Sequence, residues 1–331
     1  MQPPFHITTE MMNRVVEISQ RLGQLEFQLE RQLTLRKENR IRSIHSSLAI
    51  EQNSLSVEQI TAIIDGKRVA GAPKEIKEVQ NAYRAYEEIL RLNPYKEKDF
   101  LKAHGFLTEG IVKESGRYRS TDVGIYNQDG TVIHMGARPQ FIHNLMSDLF
   151  AWGAEDQTPA LIKSCIFHYE IETIHPFEDG NGRMGRLWQT VILAHWSPAF
   201  AWIPIETIIH AQQEEYYAAL RRADEESEST LFIEFMLDMI LQALNTYSIH
   251  TEETVPSPVL EGMTDAENNA WRIIAKYLAD YPYITVSIAA QLTGKSASTI
   301  RKYLAKYAAA HLLQAHGGNK NRSYSLGAET R

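Results

Sequence analysis

Cysteine is nearly absent, since Cys165 is the single cysteine among 331 residues. A disulfide within the chain is therefore impossible, which excludes the cysteine-stapled secreted domains and favours a reducing compartment. Cys165 lies in the apolar run 161-LIKSCIF-167, a setting in which a free cysteine is typically a buried core thiol. We expect this thiol to be structural.

Long apolar runs are also absent. The sequence has no stretch of about 18 consecutive apolar residues, the length that a membrane span requires. The first residues, MQPPFHITTEMM, have neither the basic start nor the apolar segment of a secretory signal peptide. We therefore expect a cytoplasmic protein without a membrane-embedded segment.

Acidic residues are missing between Asp280 and Glu329. Residues 261–331 carry nine Lys/Arg and five Asp/Glu, a charge of +4, whereas the whole chain carries −7 and residues 1–260 therefore carry −11. The C-terminal segment is thus a basic module on an acidic protein.

Helical periodicity dominates the rest of the chain. In the N-terminal third, a helix over about 40–53 is predicted to stop just past Glu51, and the capping box of Ser56 and Gln59 predicts the start of the next helix. Residues 116–143 break this pattern, because two short apolar runs flanking Asp129-Gly130 predict a β-hairpin. Helical patterns return over 140–152, 159–174, 181–196, 212–224 and 229–247.

The C-terminal module follows a proline-containing linker, 250–264. Its pattern predicts a helix over 265–279, an extended piece over 284–286, and two helices, 287–292 and 297–313, around the turn 293-TGKS-296. A terminal hairpin with its turn at Gly317–Asn319 completes an order that is typical of a small winged-helix-like domain.

The stretch 175-HPFEDGNGRMGR-186 concentrates groups suited to phosphate chemistry. The glycines of 180-GNG-182 let successive backbone N–H groups turn toward one point, and the helix that follows adds its positive end. Arg183 and Arg186 are three residues apart, so both guanidinium groups project from one helix face near that point. Together these features predict a polyphosphate site.

Two further residues of this stretch suit catalysis. Asp179 precedes the glycines and can hold Mg²⁺ through one oxygen while phosphates supply others, although it could instead cap the helix. His175 has a reference pKa near 6.5, which suits a general base at neutral pH.

The same stretch matches the signature of the Fic family, HPFx[DE]GNGRxxR, at every specified position, and the hairpin resembles that family's flap. The resemblance implies a mainly α fold with a Fic-type helical core, a β-hairpin flap and a small C-terminal winged-helix domain. We predict an N-terminal helical region (1–95) with an inhibitory helix (about 40–53), a Fic core (96–249), the linker, and the winged-helix-like domain (265–331).

The activity that the resemblance implies is transfer of AMP from ATP to a Tyr, Thr or Ser hydroxyl of a target protein. His175 would deprotonate that hydroxyl, Asp179 would bind Mg²⁺, and Arg186 would hold the γ-phosphate. The residues implied to bind ATP are Gly180, Asn181, Gly182, Arg183, Met184, Gly185, Arg186 and Tyr216.

Two other parts of the sequence resemble Fic features. The flap residues Val123, Gly124, Ile125 and Tyr126 are candidates for docking the target by backbone pairing. Tyr216 and Tyr217 resemble aromatic residues that border adenine, although a position in the helix core is an equal alternative for Tyr217.

The segment from Ser47 to Glu51 resembles the Fic inhibitory motif, [ST]xxxE followed by Gly or Asn, but here Gln52 follows the glutamate. The resemblance implies that Glu51 pairs with Arg186 and blocks productive placement of the γ-phosphate. The same carboxylate could instead orient water for removing AMP from a modified target.

Three alternatives remain at the level of sequence. The chain could be a DNA-binding regulator whose Fic core senses nucleotide, because Lys295, Arg301, Lys302, Lys306, Lys320 and Arg322 lie in the basic module. The transferred group could be UMP, phosphocholine or phosphate, as in some Fic relatives, although the intact 180-GNGR-183 favours ATP as the donor. A zinc site on His168 and His175 is disfavoured because no third ligand has suitable spacing. Self-modification and a homodimer are further expectations from the resemblance.

Overall fold

The computed structural model describes residues 2–29, 33–126, 132–249, 263–280, 283–316, 318 and 322–327. The chain divides into two compact units, Met1–Ser248 and Ile249–Arg331, and each unit has a hydrophobic core of its own. Most of the predicted linker, the turn at Asp129-Gly130 and all of the turn at Gly317–Asn319 except Gly318 lie outside the described residues.

The described residues in the N-terminal part of the first unit form five α-helices and a short 3-10 helix, Ile89–Arg91. Helix α2 ends at Ile50 and α3 begins after Ser56, whose hydroxyl accepts from Gln59 N at 3.3 Å while Gln59 Oε1 accepts from Ser56 N at 2.9 Å. This reciprocal pair confirms the predicted capping box. The helices are α1 (Thr9–Leu29), α2 (Leu33–Ile50), α3 (Val57–Ile64), α4 (Pro73–Glu87) and α5 (Glu97–Thr108).

The predicted hairpin forms from β1 (Gly124–Tyr126) and β2 (Val132–Met135), which pair antiparallel with Gly124 opposite Met135. The register shifts between Ile125 and Tyr126, so the ribbon carries a local irregularity. The α-helices described after it are α6 (Pro139–Glu155), α7 (Ala160–Ile174), α8 (Asn181–Trp196), α9 (Ile205–Ala211), α10 (Gln213–Glu226) and α11 (Thr230–Ile249), with a 3-10 helix, Pro198–Trp202, between α8 and α9.

Helices α7 and α8 form the buried centre of this unit. Every residue from Leu161 to Ile171 is buried, so the polar side chains of Lys163, His168 and Glu170 lie in the interior together with the apolar ones. Cys165 is completely buried there, as predicted, and burial raises the pKa of its thiol to about 12. One hydrophobic cluster extends from Met11 to Leu244, so the predicted N-terminal region and the predicted core share a single interior.

The second unit contains α12 (Asp265–Asp280), β3 (Ile284–Thr285), α13 (Val286–Thr293), α14 (Ala297–Ala309), β4 (Leu313–His316) and β5 (Ser323–Leu326). Its three strands form an antiparallel sheet in the order β3-β5-β4. The prediction that the last helix reaches Leu313 is wrong: α14 ends at Ala309, and the chain reverses through His311 at φ +58°. Leu313 instead begins β4 and packs into the core.

Among the described residues, no helix combines the length and the apolar character needed to cross a membrane.

Candidate active site

The stretch 175–186 forms a tight loop between the two central helices. His175 caps α7 in the left-handed conformation (φ 52°, ψ 59°), and Gly180 precedes α8 at φ +88°, a conformation for which glycine carries no steric penalty. The first backbone bond of α8 runs from Met184 N to Gly180 O at 2.9 Å. The three amides before Met184 therefore precede the helical ladder and form the positive end of α8.

The side chain of Asn181 holds this loop closed. Its Oδ1 accepts from Phe177 N and its Nδ2 donates to Phe177 O, each at 2.9 Å. Phe177 is completely buried and packs against the ring of Phe100 at 5.3 Å. Asn181 was predicted to bind ATP; its side chain is engaged by the loop, which leaves its backbone N–H among the three amides at the start of α8.

His104 on α5 supports the same loop and was not identified from the sequence. Its ring stacks on Phe177 with centroids 3.6 Å apart. Its Nδ1 accepts from Gly116 N at 3.0 Å, so its Nε2 carries the proton and donates to Asp179 O at 3.0 Å. Burial lowers the pKa of His104 to about 4, so the ring is neutral at physiological pH and supports the loop without carrying a charge.

Arg186 is 2% exposed and contacts the end of α2. Its Nη2 donates to Glu51 Oε1 at 2.7 Å and to Ser47 O at 3.0 Å, and its Nε donates to Ser47 Oγ at 3.2 Å. Burial, the largest single influence, lowers the pKa of Arg186, but the Glu51 carboxylate together with Tyr216 and Glu172 outweighs it, and the pKa is raised. The structure thus brings together Glu51 and Arg186, the two residues predicted to pair across 135 positions of sequence, and adds contacts from Ser47.

Arg183 is also engaged by carboxylates. Its Nη2 donates to Asp179 Oδ1 at 2.8 Å, and its Nη1 lies 3.5 Å from Glu78 Oε1 on α4. Glu78 in turn accepts from Asn53 Nδ2 at 2.9 Å. Neither Glu78 nor Asn53 was identified from the sequence, because nothing in their local pattern distinguishes them from ordinary helix and loop residues.

The glycines inside α8 are explained by close approach. A Cβ on Gly182 would collide with Glu51 Oε1, and a Cβ on Gly185 would lie 2.6 Å from His168 Cδ2. Gly182 therefore lets the Glu51 carboxylate reach Arg186, and Gly185 lets α8 pack on α7. Met184, between them, is completely buried in the core.

The sequence allowed a core position for Tyr217, but the structure places Tyr216 in the core and Tyr217 at the surface. Tyr216 is completely buried, with its hydroxyl 3.2 Å from Glu172 Oε1 and 3.0 Å from His168 Nε2, whereas Tyr217 is 39% exposed. Direct contact of Tyr216 with adenine would require this network to open, so the core position belongs to Tyr216 rather than Tyr217. The other ring nitrogen of His168 lies 2.7 Å from Gln189 Oε1.

The flap stands beside the loop. Gly124, Ile125 and Tyr126 form β1, and Val123 precedes it. In the described residues this sheet contains two strands only, so β1 has one edge without a strand partner. That edge is the feature that strand addition by a peptide requires.

The position of Asp179 is suited to binding Mg²⁺. Its side chain remains 41% exposed beside the N-terminus of α8. A single accessible carboxylate suits Mg²⁺, which takes its other ligands from phosphates and water.

Comparison with known proteins agrees with this geometry. Residues 94–193 match the Fic/DOC family. A Fic family protein from Desulfovibrio desulfuricans G20 is 39% identical, with both chains covered completely, and its crystal structure superposes with a TM-score of 0.77. A Fic domain protein from Bacteroides thetaiotaomicron, 19% identical over 72% of this chain and 94% of that one, shares the fold with a TM-score of 0.59.

Curated relatives are more distant. A probable protein adenylyltransferase from Aquifex aeolicus is 29% identical over 192 residues, 54% of this chain and 53% of that protein. Protein adenylyltransferase fic-1 from Caenorhabditis briggsae is 29% identical over 194 residues, 55% of this chain and 36% of that protein. The matched region thus spans about half of the first relative and about a third of the second.

A helical core with a hairpin beside a His-to-Arg loop defines a Fic-type protein. On the full-length similarity, this chain belongs to the Fic family.

Proposed function

We propose that the protein transfers AMP from ATP to a hydroxyl side chain of a target protein and that Glu51 inhibits this activity. The observation that carries the proposal is the folded signature loop, in which His175 at the end of α7 is followed by the N-terminus of α8 with its two buried arginines. The names of the curated relatives support the same reaction class.

The residues present account for the chemistry. The amides at the start of α8, with Arg183, neutralise the α- and β-phosphates, and Arg186 holds the γ-phosphate. His175 accepts the proton of the target hydroxyl as the hydroxyl oxygen attacks the α-phosphorus, and pyrophosphate leaves. Mg²⁺ held by Asp179 would add charge neutralisation on the phosphates. Positioning and charge suffice, and no covalent enzyme intermediate is required.

Inhibition follows from the occupancy of Arg186. A guanidinium bound by the carboxylate of Glu51 at 2.7 Å is unavailable to a γ-phosphate in the same position. ATP would then bind without the γ-phosphate in its productive position. Release requires the Glu51 carboxylate to move away from Arg186, which leaves the contacts of Nε and Nη2 with Ser47.

The experiment compares Glu51→Gly with the wild type by intact mass after incubation with ATP and Mg²⁺, using self-modification and a cell lysate as acceptors. We expect AMP incorporation to rise at least about tenfold in Glu51→Gly, the effect of freeing one charge-assisted contact. Gln52→Gly is the matched control, because it gives the same turn backbone freedom without removing the carboxylate. Adding His175→Ala to Glu51→Gly should abolish AMP incorporation. If Glu51→Gly is labelled no more than the wild type, the inhibitory role of Glu51 is refuted. If the double variant is labelled as much as Glu51→Gly, the role of His175 as the base is refuted.

A second candidate function belongs to the C-terminal unit. Arg301 and Lys302 are exposed on helix α14. Its N-cap residue, Ser296, is also exposed, and so is Ser298 in its first turn. Cations and hydroxyls at the N-terminal end of the second helix of a helix–turn–helix suit contact with DNA phosphates. We propose that this surface binds duplex DNA.

Fluorescence anisotropy of a labelled 30-base-pair duplex with the full chain tests this second proposal. We expect Arg301→Ala with Lys302→Ala to weaken binding and to reduce the slope of log K against log salt by about 2, since each phosphate contact contributes about 0.9. The control pair, Lys67→Ala with Arg68→Ala, removes exposed cations of the first unit. Binding that is absent at low salt, or equal in both double variants, would contradict the proposal.

A further inference from the structure

The guanidinium of Arg119 joins three separate backbone segments. Its Nε donates to His175 O at 2.7 Å, its Nη1 donates to Thr121 O at 2.6 Å, and its Nη2 donates to Ala137 O. Thr121 lies before β1 and Ala137 lies after β2. One side chain therefore holds both ends of the flap to the carbonyl of the histidine assigned as the base.

Backbone contacts repeat the same connection. Arg119 N donates to Pro176 O and Ala137 N donates to Ile174 O, each at 3.0 Å. Gly136 makes this approach possible, because a Cβ there would lie 2.7 Å from Arg119 Nη2 and 2.9 Å from His175 Cβ. The flap and the loop around His175 are thus packed without room for an additional carbon.

The burial of Arg119 makes these contacts costly to lose. The residue is 3% exposed, and burial lowers its pKa, with the Asp122 carboxylate opposing that effect. A guanidinium fills three carbonyl sites at fixed angles, which a flexible ammonium cannot do. His175 is also in the left-handed conformation, which is unfavourable for a residue with a side chain, and its carbonyl is held by Arg119.

We propose that Arg119 is a positioning residue that couples the flap to His175, so that the imidazole and a target peptide paired with β1 share one fixed geometry. This inference rests on the proposed function for its kinetic consequence. The hydrogen bonds of the Arg119 guanidinium go to the backbone carbonyls of Thr121, Ala137 and His175, so we expect its removal to affect transfer to the hydroxyl and to leave ATP binding unchanged.

The test uses Arg119→Met, Arg119→Lys and Gly136→Ala in the Glu51→Gly chain, with Arg117→Met as the control. Arg117 is exposed, two residues away on the same segment. We expect Arg119→Met to slow AMP incorporation at least about tenfold, since misplacement of reacting groups by about 1 Å has that scale of effect. The Kd of Arg119→Met for ATP should stay within about threefold of the value for the Glu51→Gly parent. Arg119→Lys should recover part of the rate of AMP incorporation, and Arg117→Met should incorporate AMP as fast as the parent.

Hydrogen exchange supplies a readout independent of activity. In Arg119→Met, the amides of Ala137 and His175 should exchange faster while those of α8 remain protected. If Arg119→Met does not fold, Gly136→Ala displaces the same contacts with the guanidinium present and should give the same slowing. If the Glu51→Gly parent incorporates no AMP, the proposed function is refuted and the hydrogen-exchange result alone tests the coupling. If Arg119→Met incorporates AMP as fast as the parent, or if exchange is unchanged at both amides, this inference alone is overturned.

Discussion

At the scale of single residues, the Glu51–Arg186 pair lies at a helix end with an unusual backbone. Gln52, directly after Glu51, has φ +65°, in the left-handed region that glycine and asparagine tolerate best. This geometry gives a physical reason for the Gly or Asn that the inhibitory motif has at that position. In this chain the turn forms despite a less favourable residue.

We therefore predict that Gln52→Gly raises the free energy of unfolding by about 0.5 kcal/mol, because relief of left-handed strain slightly exceeds the added entropy of the unfolded chain. Urea unfolding of the two proteins measures the difference. Glycine placed at exposed Gln20 inside α1 is the control, and it should destabilise the protein by about 1 kcal/mol. A loss of stability in Gln52→Gly would show that this turn carries no such strain.

At the scale of elements, α2 is fixed by a buried carboxylate on α9. Glu206 is 1% exposed and accepts from Ser43 Oγ on α2 at 2.8 Å and from Tyr86 OH on α4 at 2.7 Å. It also accepts from Thr190 Oγ1 on α8 at 3.4 Å. The Glu206 carboxylate thus ties Ser43 of α2 to Tyr86 of α4 and to α9, so release of inhibition is expected at the Glu51 turn rather than by departure of the whole helix.

We predict that Glu206→Ala lowers the free energy of unfolding by about 3 kcal/mol, because it leaves the buried hydroxyls of Ser43 and Tyr86 without their acceptor and creates a cavity. Glu225→Ala, an exposed glutamate on α10, is the control and should change stability by less than about 0.5 kcal/mol. Chemical denaturation measures both. A small effect of Glu206→Ala would mean that the hydroxyls find other acceptors and that α2 is held by apolar packing.

At the scale of the whole molecule, buried titratable groups set the pH dependence of stability. Burial lowers the pKa of His104 to about 4 and of His168 to about 3. Burial raises the pKa of Glu170 to about 7. The unfolded chain therefore binds protons before the folded chain does at both histidines, whereas the folded chain binds a proton first at Glu170.

We predict that the free energy of unfolding falls as the pH decreases from 6.5 toward 4, because both histidines are neutral in the fold and charged in the unfolded chain. Glu170 opposes this trend between pH 4.5 and about 7, since its stabilising protonation is lost as the pH rises through its folded pKa. Urea unfolding across this range should therefore show a steeper fall in Glu170→Gln than in the wild type. Parallel profiles for the two proteins would contradict the assignment.

Much of the fold followed from local pattern. The capping box of Ser56 and Gln59 determined where α3 begins, and the apolar run around Cys165 predicted a buried helix. The end of α14 was misplaced because Leu313 continues the helical period, while its partners in the sheet are set by distant β5. The spacing of apolar residues alone does not distinguish a longer α14 from a strand that begins at Leu313.

The sequence by itself determined the loop from His175 to Arg186, because its glycines, its capping geometry and the helix after it are all local. Only the tertiary structure decided which carboxylates occupy the arginines and which side chains support the loop. Glu78, His104 and Arg119 reach the site from three separate segments. Their partners are backbone carbonyls or charges distant in sequence, and such contacts depend on how the helices pack rather than on the residues beside them.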